Sequence, residues 1–214
     1  MNIKDWLQFI IDIFKIITWP AVVIFGICLF SDQIKSIMKR LIKAELPGGI
    51  SIEAIPDELK KGELAKTLIE NEPKKEEHKY DVIPLNAVNN RMIEVGLRPS
   101  PSGLDISYYN DLIEQDSRIA LSALRIDLEI ILNNLAKGFK IPIDRTLSAN
   151  VTARLLLNSS AITKNQYELI NSIVNVCNFA IHGGNINKEQ ARQVLALAPV
   201  LINDYIAWLG WGFK

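Results

Sequence analysis

The sequence predicts an all-α fold, and three observations predict it. Residues Trp6 to Phe30 are nearly all apolar. A basic amphipathic stretch, Ser31 to Lys43, follows directly. Beyond Asp105, apolar residues recur with helical period in four segments joined by short loops. The expected architecture is an N-terminal single transmembrane helix followed by a basic amphipathic helix (1–46). A short strand, a charged surface helix and a linker come next (47–104). A C-terminal antiparallel four-helix bundle (105–214) completes it.

The opening block has the length of a membrane span. A hydrocarbon core takes about 20 helical residues at a rise of about 1.5 Å each. Ile16 to Phe30 is interrupted only by Thr18, and a full span brings in Asp12 and Lys15. Their i,i+3 spacing lets them pair on one face, toward the outer boundary, where charge costs least. Trp6 and Trp19 are candidate interfacial anchors, and Pro20 is a candidate kink. No small-x-small site follows the run, which argues against a cleaved signal peptide. Lys35, Lys39, Arg40 and Lys43 on the C-terminal side predict, by the positive-inside rule, an inner-membrane single-pass protein. Its N-terminus would be outside and its C-terminal domain cytoplasmic. Ile34, Ile37, Met38, Leu41 and Ile42 put an apolar stripe opposite those cations, suited to the inner leaflet or to a partner.

Pro47-Gly48-Gly49 stops the amphipathic helix. Ile50, Ile52 and Ala54 alternate with Ser51 and Glu53, a short strand signal. Asp57 to Lys79 is dense in Glu and Lys; Leu59, Leu64, Leu68 and Ile69 give it helical character, and Gly62 and Pro73 interrupt it. Residues 82–103, with Pro84, Pro99, Pro101 and Gly103, are expected to be irregular.

The bundle's first helix is expected from an N-cap at Ser107 to about Lys137, with Leu121, Leu124, Leu128, Ile131 and Leu135 as its apolar stripe. The second runs about Ser148 to Leu157. Thr163 and Gln166 form a capping box for the third, which Gly183-Gly184 ends. Asn187 and Gln190 cap the fourth, with a kink expected at Pro199.

The formal net charge is +0, so the chain lacks the overall basicity of a nucleic-acid binder. Two cysteines, Cys28 and Cys177, lie far apart and fit a reduced compartment. No Gly-rich phosphate loop and no zinc-type Cys/His spacing is present, so neither a cofactor nor a metal is predicted. Of two histidines, His78 sits in the charged tether, whereas His182 falls at a helix C-terminus, a position that favours a cation or a capping side chain.

The segment Ile173-Val-Asn-Val-Cys-Asn-Phe-Ala-Ile-His182-Gly resembles the end of the third helix in HEPN-like helical bundles, where the pattern is Arg-Asn-x-x-x-His. Ala120-Leu-Ser-Ala-Leu-Arg125-x-x-x-Glu129 resembles that superfamily's first long helix. Leu147 through Ile170 resembles its second helix and turn, and Asn187-Lys-Glu-Gln-Ala191 the start of its last. The resemblance covers about Tyr108 to Leu209 and is closest to a bacterial branch of unknown function. It implies a dimer, and in ribonuclease members an Arg and a His that meet across the dimer interface. His182 and Asn178 match that motif, but Cys177 stands at the Arg position. A thiol cannot make the bidentate contact that guanidinium makes with phosphate. Arg125 is the candidate substitute, with an i,i+4 salt bridge to Glu129 as its alternative role.

The expected function is a membrane-anchored cytosolic interaction module in bacterial stress response or phage defence. A divergent, metal-independent endoribonuclease and a membrane-perturbing effector are the alternatives. The predicted partners are the lipid bilayer, a second or further copies of the chain, and a protein from the same operon. RNA enters only under the nuclease reading.

Overall fold

Local capping chemistry sets most of the helix starts. The computed structural model describes residues 54–72, 83–143 and 147–212, together with Trp6, Gln8, Asp12, Lys15, Ile16, Thr18 and Pro20. From residue 54 onward, seven α-helices are described: α1 (Ile55–Glu70), α2 (Val88–Glu94), α3 (Ile106–Gln115), α4 (Ser117–Gly138), α5 (Ala149–Asn158), α6 (Lys164–Ile181) and α7 (Lys188–Trp211). No strand is described. The Thr163/Gln166 and Asn187/Gln190 capping boxes both form. In each, the cap side chain accepts from the third backbone N–H, and the Gln side chain accepts from the cap's own N–H.

The long first bundle helix is two helices. Asp105, not Ser107, caps α3, its carboxylate accepting from the Ser107 N–H at 2.9 Å. Asp116 then breaks the run with an extended backbone and caps α4 by accepting from the Arg118 N–H at 2.7 Å. Asp favours a cap over a helix interior because its short carboxylate competes for nearby backbone donors. The bundle segment therefore contains five helices, and the antiparallel four-helix arrangement gives way to an all-helical body of greater complexity. Glu114 at the end of α3 pairs with Lys188 at 2.9 Å and Arg192 at 2.6 Å on α7, and these bonds hold its carboxyl below the usual range.

The charged helix α1 is not a detached surface element. It packs against α6 and α7 through Ile55, Leu59, Gly62 and Ala65, all buried, while Leu64 and Leu68 face outward. Gly62, expected to interrupt the helix, is the point of closest approach. A Cβ there would lie 2.6 Å from Leu197 and 3.0 Å from the Ser172 hydroxyl. Ser172 Oγ in turn donates to the Glu58 carbonyl. Ala54, assigned to a strand by alternation, is helical, and residues 50–53 lie outside the described residues.

Helix α6 is central, packing against α1, α4, α5 and α7. Leu169, Ile170, Ile173, Val174, Val176, Cys177, Phe179 and Ala180 bury almost its whole circumference. Four helices end in paired C-terminal bonds of the Schellman type. At α6, the Gly184 N–H reaches Phe179 O at 2.9 Å and the Gly183 N–H reaches Ala180 O at 3.2 Å. Gly183 supplies the left-handed backbone, with φ +90°, and Gly184 supplies room for the Phe179 ring. At α4 the same geometry forces Lys140 to φ 56°. An L side chain there costs about 1–2 kcal/mol. Lys140→Gly is therefore expected to stabilise the fold by about 0.5 kcal/mol, after allowing for the entropy of glycine in the unfolded chain. A urea midpoint that falls would refute it.

The predicted membrane placement is corrected. Among the described residues, the helix long and apolar enough to cross a bilayer is α7, and half of its most apolar window is buried inside the body. That makes α7 a core helix whose apolar face is covered by protein. No span is described near the N-terminus, so a single-pass inner-membrane protein with an outer N-terminus is not supported. Length and mean hydropathy cannot separate a helix meant for lipid from one meant for a protein interior. In the compact unit Met1–Ala44, Trp6, Asp12, Lys15 and Pro20 are helical and exposed. Lys15 Nζ lies 3.8 Å from Asp12, the expected i,i+3 pair. Trp19, Lys35, Lys39, Arg40 and Lys43 lie outside the described residues, as does His78. The second unit, Glu45–Lys214, holds every feature that follows.

Candidate functional site

Helices α4 and α6 bring two of the predicted residues together. Arg125 Nε donates to Asn178 Oδ1 at 2.5 Å, across 53 positions of sequence. The same guanidinium pairs with Glu129 at 2.9 Å, one turn along α4. The i,i+4 salt bridge expected as the alternative role of Arg125 is formed. Cys177, beside Asn178, is fully buried; burial pushes its thiol up to about 12, against the opposing pull of the Arg125 charge. It is a neutral core side chain at physiological pH, inert as a nucleophile. His182 is the C-cap of α6, its N–H bonded to Asn178 O at 3.0 Å, and its side chain is exposed. It follows Asn178 by one turn on the same side of the helix. The open face of α4 next to Arg125 carries Ile119 and Ile126, both about half exposed and seven residues apart. Ile181 is the exposed large apolar residue at the end of α6.

Two structural anchors escaped the sequence reading. Asp127 and Asn134 lie one heptad apart on α4, and both are buried. Asp127 accepts from Ser100 Oγ at 2.5 Å and from the Tyr109 hydroxyl at 2.7 Å. Burial holds the Tyr109 phenol well above its usual pKa, so it stays a donor. Asn134 accepts from the Arg98 N–H at 3.0 Å and donates to Arg98 O and to the Tyr205 hydroxyl, each at 2.8 Å. Together they pin residues 97–104, where Gly103 and Leu104 are both left-handed. The signal was available: two polar residues seven apart within the apolar stripe of a helix.

A cavity of about 850 Å3 opens between α1, α4, α5, α6 and α7. Leu128, Ile131, Leu132, Leu135, Ile170 and Leu201 form its apolar floor. Tyr205, Trp208 and Phe139 stack in succession along one wall, with ring centroids 5.8 and 5.7 Å apart, and Trp211 adds a further ring. Its volume falls in the range of small-molecule sites. Glu72 and Asp204 stand at its edge, and among the described residues no Lys, Arg or His lines it.

Among the described residues, no group of three His, Cys, Asp or Glu is arranged to hold a metal. No protein-family model, curated protein or solved structure matches the chain. The likeness to HEPN-like bundles accordingly rests on the sequence motifs alone, since an all-helical body does not by itself select that superfamily.

Proposed function

We propose that the helical body is a non-catalytic interaction module that pairs with a second copy of itself. The engagement of Arg125 carries the reading. Its guanidinium is oriented by Asn178 and already paired with the Glu129 carboxylate, so a phosphate would meet an ion pair with a like charge beside it and not a free cation. The thiol at position 177 adds no cation. Exposed Ile119 and Ile126 beside it, with Ile181 on α6, supply apolar surface of the kind an isologous contact buries. The HEPN-like resemblance supports pairing, and by analogy points to bacterial stress response or phage defence with a partner encoded nearby.

A divergent ribonuclease is the second reading. The observation in its favour is that Arg125 reaches Asn178, one turn from His182.

Sedimentation of the full chain tests the first reading, which expects a dimer. Ile126→Asp is expected to weaken self-association at least tenfold while leaving helical content unchanged; a monomeric parent protein would overturn it. Incubation with RNA separates the two. Intact RNA supports the module, whereas cleavage abolished by His182→Ala and Arg125→Ala would establish the nuclease.

A further inference from the structure

We propose that the cavity between α1, α4, α5, α6 and α7 binds a lipophilic cation: an apolar body carrying one amine or quaternary ammonium group. This site is separate in its residues from the α4/α6 edge, so the proposal stands or falls independently of self-pairing.

Three properties of the cavity select that chemistry. First, its floor is aliphatic and its wall is a run of stacked aromatic rings, Tyr205, Trp208 and Phe139. Such rings offer a negative face, which attracts a cation as well as apolar carbon. Second, the charged residues among the described part of its lining are both carboxylates. Asn165 donates to Glu72 at 2.7 Å, and Gln166 donates to Asp204 at 2.8 Å. Two consecutive residues in the first turn of α6 therefore hold both carboxylates on the same rim. Gln166 is fixed in turn, because its carbonyl accepts from the Thr163 N–H at 2.8 Å. The capping box that starts α6 thus also orients the Asp204 carboxylate.

Third, the helix ends around the cavity reinforce its sign. The C-terminal turns of α1, α4, α5 and α7 all reach it, through Ile69, Leu135, Leu157 and Trp208; those of α1, α5 and α7 carry no basic residue, and that of α4 carries Lys137. α1 and α5 bring the negative ends of their dipoles to the site uncompensated by basic side chains of their own, while at α7 Arg91 Nε donates to Leu209 O at 3.5 Å. Only α6 points its N-terminus there, and its positive end is opposed by the two carboxylates it holds. An anionic amphiphile of the same shape would meet like charge at the rim, which makes the site discriminate by charge as well as by apolar area.

The test is titration of the full-length protein with decyltrimethylammonium below its micellar concentration, followed by tryptophan fluorescence. Decyl sulfate and a neutral decyl glucoside serve as chain-matched controls. Saturable quenching by the cation is expected, with affinity at least tenfold above that for the sulfate. Asp204→Asn and Glu72→Gln are each expected to weaken cation binding severalfold without changing binding of the neutral glucoside. Ala207→Trp, at an exposed position on the lining of the cavity, is expected to abolish binding of all three while leaving the core intact. Equal affinity for cation and sulfate would overturn the charge assignment. Absence of saturable binding, or binding unaffected by Ala207→Trp, would overturn the site itself.

Discussion

Asp127→Ala is expected to cost about 3–5 kcal/mol of folding free energy. The side chain is 1% exposed and accepts two hydroxyl donors, Ser100 and Tyr109. Truncation leaves both hydroxyls facing a void, and breaking a buried charged network on one side typically costs that much. Asp127→Asn keeps the volume, and the hydroxyls can rotate to accept from the new amide, so it is expected to lose less than half as much. The loop should report the same event. The Leu104 N–H is bonded to Ser100 Oγ at 3.2 Å and Ser102 Oγ at 3.0 Å, and its amide exchange should accelerate in the alanine variant. Urea denaturation measures the energy. A loss under about 1 kcal/mol, with Leu104 exchange unchanged, would show that the carboxylate does not hold the loop.

Asn134→Ala is expected to cost about 3 kcal/mol, by a different balance. One primary amide here satisfies both backbone groups of Arg98 and the Tyr205 hydroxyl, tying the loop and α7 to α4. Its removal leaves up to three polar groups without partners in or near the core, each worth about 1 kcal/mol or more. Asn134→Asp retains size and one acceptor but removes both donated bonds, so it should stabilise no better than alanine. Because Asp127 and Asn134 hold one loop, their losses should combine to less than the sum, with a coupling of at least about 0.5 kcal/mol. Full additivity in a double-mutant cycle would mean that the two anchors act on separate structures.

The candidate edge was legible in part. Asn178, His182 and Arg125 were all singled out by the motif resemblance, but contact between Arg125 and Asn178 depends on how α4 meets α6. Spacing along one helix cannot supply the register between two. Asp127 was missed because it reads as a solvated charge until a partner 27 residues away is placed against it. The cavity was invisible for a related reason: its lining comes from five helices, and each contributes residues that look like ordinary core.

Membrane placement failed for a physical reason that α7 makes plain. Its composition passes the test for a span, yet Val194, Leu195, Leu197, Ala198, Leu201 and Ile202 are buried against other helices. Apolar surface must leave water, but the sequence does not say whether lipid or protein receives it.

The sequence by itself determined where several of the helices begin and end. Capping boxes at Thr163 and Asn187, the cap at Asp116 and the stop at Gly183-Gly184 are each built within a few residues. Hydrogen bonds that short in range need no knowledge of the rest of the chain. Only the tertiary structure decided which faces became interior, that Gly62 marks a close contact instead of a break, and that a cavity remained. Those outcomes depend on which surfaces cover one another, and burial is a property of the assembled packing and not of any one helix.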